Sequence, residues 1–174
     1  MSKSNIKTLQ SDEQKVLDIL KLHGDLKMEL LAKMTGFSKK KIWHITKKLE
    51  ETGMIWGYTA IDDIEKQDLI LFILLVKRSI KPFSDTFRNE VIQKHLDDYL
   101  PGEVTVLDIY ITHGSFDAIV TFLAKDINVA KKLVDMIMKT LGVYLKEIQL
   151  IRTILPVRMR GIKNPDIKKL VEFL

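Results

Sequence analysis

The chain has 174 residues, 46% of them apolar and 29% charged, with a net charge of +5. That length suits one large domain or two small ones, and that composition supports packed cores rather than a disordered chain. The absence of cysteine excludes disulfides, thiolate metal sites, iron–sulfur clusters and a cysteine nucleophile.

Met1–Gln10 carries Lys3 and Lys7 but no apolar run, and the longest apolar stretch is Leu69–Val76. A bilayer span needs about 20 apolar residues, so neither export nor insertion is expected and a cytoplasmic location is. Residues 1–60 hold 11 Lys against 7 Asp/Glu, a balance of +4, whereas residues 61–174 hold 17 Lys/Arg against 16 Asp/Glu, a balance of +1. The basic excess in the first third suits a polyanionic partner, because cations near phosphates release condensed counterions.

Ser11–Gln14 fits a capping box ahead of Val16, Leu17, Ile19 and Leu20 at helical spacing, which predicts a first helix to about Leu22. After His23-Gly24-Asp25, residues Met28, Leu30, Leu31 and Met34 predict a second helix of about two turns, ending near Gly36 in a left-handed cap. Ser38 is a natural N-cap for a third helix with the stripe Ile42, Ile45 and Leu49, closed by Gly53. Three helices with a tight turn before the last form the helix-turn-helix layout.

At 100° per residue, Lys40, His44 and Lys47 lie opposite that stripe, with Trp43 and Lys39 on one flank and Lys48 on the other. A lysine face on an isolated helix usually only solubilises it. As the last helix of a trihelical unit it instead reads as a recognition helix, with Ser38, Lys39, Lys40, Trp43, His44, Lys47 and Lys48 as the candidate DNA-contacting residues.

Met54–Ile61, rich in Ile, Trp, Tyr and Thr, predicts an extended wing or linker strand. Asp62–Asp68 turns acidic and polar, so the chain divides into a helix-turn-helix domain at 1–61, a hinge at 62–68 and a second domain at 69–174.

In the second domain, Leu69–Arg78 predicts a central strand, and Phe83, Phe87, Val91, Ile92, His95, Leu96 and Tyr99 predict a helix. Val104–Thr112 and Ala118–Ala124 predict a hairpin joined through His113-Gly114-Ser115. A helix follows from Asp126–Asn128 to Gly142, and then a strand over Val143–Leu155. The order βαββαβ is the ferredoxin-like arrangement, an α+β fold with both helices on one face of an antiparallel sheet. The other face then needs a cover, and a second copy of the chain would provide it. Asn164-Pro165-Asp166 predicts the start of a short amphipathic helix bearing Ile167, Leu170, Val171 and Phe173.

Leu30–Ser38, Lys48–Ile55 and Gly57–Ala60, followed by Gly114–Asp117 and the chain to about Leu155, resemble the Lrp/AsnC family of leucine-responsive regulators. The resemblance implies a sequence-specific DNA-binding transcriptional regulator that assembles as a homodimer, or further as a tetramer or octamer, with no cofactor. It also implies an amino-acid-like effector at the Gly-x-x-Asp hairpin, here Gly114 and Asp117, where His113 replaces the family's small residue. Ile45 and Thr46 stand where the family has a basic and then an apolar residue.

Hairpin-turn chemistry explains Gly114 and Asp117 about as well as a ligand does. The four histidines at 23, 44, 95 and 113 form no pair at metal-ligand spacing, so no metal site is expected, and with no phosphate-cradling glycine loop and no nucleophile elbow in the sequence no enzyme is expected. The alternative is the sirohaem decarboxylases, which resemble Lrp/AsnC proteins in architecture but carry arginines after the third helix, where this chain reads Ile55-Trp56-Gly57.

Overall fold

The computed structural model describes residues 11–93 and 102–174. They divide into two compact units: residues up to Ile61 together with Arg160–Ile162, and Asp62–Met159 together with Lys163–Leu174.

The first unit is three helices, α1 (Ser11–Leu22), α2 (Met28–Thr35) and α3 (Lys39–Glu51). Their apolar stripes meet in one core of Val16, Leu17, Leu31, Ile42, Ile45 and Leu49. Gly36 closes α2 at φ 76°, a left-handed conformation that a Cβ would strain, and its amide donates to Ala32 O. Gln14, expected to reach back toward Ser11, donates to Asp18 Oδ1 at 2.7 Å, one turn on. Met54–Ile61 forms no strand, because an extended segment with no neighbouring strand makes no ladder; Ile55 N instead donates to Leu49 O at 3.0 Å. The acidic stretch after it contains a 3-10 turn, Glu65–Gln67, beside the buried Ile64.

The second unit runs β1 (Ile70–Arg78), α4 (Asp85–Gln93), β2 (Val104–Ile111), β3 (Ala118–Ala124), α5 (Ile127–Leu141) and β4 (Leu145–Arg152). The sheet order is β2-β3-β1-β4 with every pair antiparallel, the ferredoxin-like topology. His95, Leu96 and Tyr99, expected to extend the helix after β1, lie outside the described residues. A bulge at Leu107 shifts the β2–β3 register between Val106 and Asp108. The last strand is shorter than Val143–Leu155, since Gly142–Tyr144 forms a 3-10 turn first.

Asp126 caps α5 by accepting from the amides of Asn128 and Val129, at 2.8 and 2.9 Å. The core between α5 and the sheet holds Phe72, Leu74, Val104, Phe122, Ala124, Val129, Ala130 and Leu133. Neighbouring strand residues point to opposite faces, so Leu71, Ile73 and Leu75 of β1, Ile119 and Leu123 of β3 and Ile151 of β4 share the face away from that core.

After the sheet come two short strands, β5 (Arg158–Met159) and β6 (Ile162–Lys163), paired with each other. The tail expected to be an amphipathic α-helix is a 3-10 helix, Ile167–Phe173. Among the described residues no helix is long and apolar enough to cross a membrane.

Candidate nucleic-acid interface

The third helix is fixed at its start by Ser38, whose hydroxyl accepts from Lys41 N at 3.3 Å. An N-cap of this kind contributes about 1 kcal/mol. The Ser38 oxygen is therefore committed to the helix, and its place among the candidate contacts rests on position alone.

Its buried side is Ile42, Ile45 and Leu49, and every other residue from Lys39 to Glu50 except Thr46 is exposed. The opposite side presents Lys40, His44 and Lys47, with the Trp43 indole still 49% exposed. Trp43 and His44 meet edge to face with ring centroids 4.9 Å apart, and Lys47 Nζ lies 5.1 Å from the indole centroid. These contacts pre-order an aromatic and cationic surface at little side-chain entropy cost.

The lysines are not equivalent in their pairing. Lys39 donates to Glu29 Oε1 of α2 at 2.6 Å, and that ammonium holds the Glu29 carboxyl below the usual carboxylate range. Lys48 pairs with Glu13 of α1, whose side chain is only 9% exposed. A buried carboxylate deprived of its partner is strongly destabilising, so Lys48 is turned to holding α3 against α1. Lys41, which was not a candidate, is likewise bound to Asp12 of α1 at 2.6 Å. Lys47 has a loose helical pair with Glu51 at 3.6 Å, and among the described residues Lys40 makes no ion pair. Lys40, Trp43, His44 and Lys47 thus form the outward face, flanked by cations already neutralised within the unit.

Ile45, where a basic residue was the family expectation, belongs to the core. Beside it Thr46 Oγ1 is buried with no hydrogen-bond partner among the described residues. A buried unsatisfied hydroxyl costs more than the methyl that could replace it. Thr46→Val is expected to stabilise the first unit by about 1 kcal/mol, read as a raised midpoint in urea unfolding; an unchanged or lowered midpoint would mean that the hydroxyl has a partner.

The other candidate position is the β2–β3 connection. Asp117 Oδ2 accepts from Arg78 N at 2.8 Å, and the Asp117 backbone bonds Val76 O and Thr112 N, at 2.9 Å each. Gly114 has φ 155°, and a Cβ added there would meet nothing within 4 Å. Both residues therefore have roles within the hairpin, while the space above Gly114 is open. His113 is exposed.

Comparison with known proteins points the same way. Residues 13–55 match the winged helix-turn-helix DNA-binding family. The chain is 26% identical over 136 residues, 78% of its own length and 83% of the other's, to the HTH-type transcriptional regulator FL11 of Pyrococcus horikoshii. Its fold is similar to that of an AsnC family transcriptional regulator from Agrobacterium tumefaciens, with a TM-score of 0.66, 20% identity and coverage of 91% of this chain and 98% of that one. It is similar also to the transcriptional regulator NMB0573 of Neisseria meningitidis in complex with L-Met, with a TM-score of 0.65, 18% identity and coverage of 96% and 100%.

Proposed function

We infer that this chain, a transcriptional regulator of the Lrp/AsnC type carrying a helix-turn-helix domain, binds duplex DNA sequence-specifically by laying α3 in the major groove. The observation that carries the reading is the outward face of α3. Lys40 and Lys47 supply cations for phosphate oxygens, His44 has ring nitrogens for a base edge, and Trp43 offers a flat apolar surface for a sugar or a thymine methyl. Ser38 and Lys39 stand at the helix start, where the first-turn amides favour a phosphate. Lys48 supports this arrangement from its pair with Glu13 rather than by reaching DNA.

A homodimer would present two such helices, with half-sites about 10 bp or a multiple of it apart. The apolar sheet face bearing Leu71, Ile73, Leu75 and Ile119, each only partly buried in the single chain, supports that assembly, since a second copy laid on it would bury those side chains further. A cytoplasmic location and a regulatory rather than catalytic role go with this reading, supported by relatives named as transcriptional regulators. The decarboxylase alternative gains nothing from relatives named as transcriptional regulators.

Titration of the protein's own upstream DNA across a salt series, beside Lys40→Ala/Lys47→Ala, tests the reading. Specific binding with a steep salt dependence is expected, and the variant should lose roughly tenfold or more in affinity and about two units of slope. Equal affinity for unrelated DNA together with an unaffected variant would overturn it. A second reading concerns an amino-acid effector. The open space above Gly114, beside an Asp117 whose Oδ1 makes no hydrogen bond among the described residues, could take an ammonium group, and the Neisseria neighbour holds L-Met. The same titration with free L-amino acids present should then shift its midpoint, and a midpoint that never moves removes the effector.

A further inference from the structure

Arginine, asparagine and glutamine, the side chains that most often bond a base edge twice, are absent from α3. What its exposed side offers instead is almost wholly donors. The lysine ammoniums and the Trp43 indole N–H have no lone pair to give. The side-chain oxygens nearby are committed or out of place. Thr46 Oγ1 is buried, and the Ser38 oxygen accepts from Lys41 N. Glu50 accepts from the Tyr58 hydroxyl at 3.1 Å, and Glu51, the last residue of the helix, pairs with Lys47 at 3.6 Å.

His44 stands at the centre of this side and is exposed, with Lys40 one turn before it and Lys47 one turn after. Its ring packs edge to face on Trp43, with centroids 4.9 Å apart at 73°, which restricts the imidazole before any partner arrives. Among the described residues neither of its ring nitrogens is in a hydrogen bond. The two lysines hold the helix at backbone phosphates from either side of His44, and the imidazole between them is free to meet a base.

We propose that His44 selects a guanine, its ring N–H donating to the N7/O6 edge of that base in the major groove. The proposal rests on the DNA-binding reading above and names the base that α3 singles out. Guanine sets two acceptors side by side on its major-groove edge, whereas adenine and cytosine each place an amino group there. Thymine presents one oxygen, between its own methyl and the amino group of its adenine partner. An amino group brought against the donors of α3 loses water without gaining an acceptor, the cost of any unsatisfied donor. Guanine meets the His44 donor with either of its acceptors. The flanking ammoniums add positive potential over that electronegative edge and offer no acceptor that would favour another base.

The test titrates wild type, His44→Ala and His44→Gln against the upstream duplex, against the same duplex with each guanine–cytosine pair replaced in turn by adenine–thymine, and against an unrelated sequence. One guanine in each half-site is expected to matter: its replacement should weaken wild type roughly tenfold and His44→Ala by no more than about twofold. His44→Gln should prefer adenine at that position, because glutamine both donates to N7 and accepts from the adenine amino group. The slope of log K against log salt should stay at the wild-type value in both variants, since His44 neutralises no phosphate. A loss that persists undiminished in His44→Ala would overturn the assignment and leave α3 with another reader, and so would a duplex in which no guanine matters. A His44→Gln protein that keeps the guanine preference would overturn it too. Equal binding of wild type to the upstream and unrelated duplexes would instead remove the sequence-specific reading itself, and the role of His44 with it.

Discussion

In the proposed homodimer, Ile73→Asp is expected to break the assembly into monomers. Ile73 lies in the middle of β1, paired with Thr121 on one side and Ile151 on the other, and it points away from the core that α5 covers. In a single chain it is only half-buried, so an aspartate there remains hydrated and the fold tolerates it. In a two-fold assembly each substitution occurs twice on one self-complementary patch, and both carboxylates lose water together. The penalty for burying an unpaired ion is several kcal/mol each, which corresponds to a dimer weakened by roughly a thousandfold or more. Sedimentation should show the wild type at twice the mass of the variant at micromolar concentration. A variant sedimenting with the wild type would mean that this face is not the interface. The DNA consequence follows without any change to α3. A monomer brings one recognition helix, so it loses the effective concentration gained when one half-site holds the other helix nearby, and binding to paired half-sites should weaken far more than binding to a single one.

The helical unit was legible because its signals are local. Apolar residues at Ile42, Ile45 and Leu49 declare a helix with one inward face, and Gly36 and Ser38 fix where one helix stops and the next starts. The sheet was legible for the same reason, since alternation and the glycine-bearing turn at His113–Ser115 bracket β2 and β3. What escaped the sequence depends on residues far apart in the chain. That Lys39 answers Glu29 and Lys48 answers Glu13 follows from packing α1 and α2 on α3, and no spacing rule encodes it. Lys39 and Lys48 therefore look like Lys40 on a helical wheel but are electrically occupied. The β5–β6 hairpin escaped because two-residue strands have no periodicity to detect, although Arg160-Gly161 between Met159 and Ile162 is a weak turn signal that could have marked it. The tail was expected to be an α-helix from its apolar spacing, yet it is 3-10, which spacing over seven residues does not separate.

Phe122→Ala carries the largest expected loss of stability. Phe122 and Phe72 are directly paired across β3 and β1, both fully buried, with rings stacked 5.5 Å apart at 20°. Removing one ring deletes its transfer free energy and leaves a cavity walled by a strand on one side and by Val129, Ala130 and Leu133 on the other, elements too regular to collapse into it. The cost is about 3–5 kcal/mol, set against a total stability of about 5–15 kcal/mol for a domain. For a unit of this size the unfolding midpoint should fall by more than about 12 °C. The core of the helix-turn-helix unit, from Val16 to Leu49, shares no residue with the one around Phe122. Calorimetry of the full chain should therefore show one transition moving down while the other stays, and a single transition moving as a whole would show that the two cores melt as one. Between the two midpoints α3 remains folded while the sheet proposed to pair two copies does not. Over that range the variant should bind a single half-site as the wild type does and lose its advantage on two, the same loss that Ile73→Asp produces with the sheet intact.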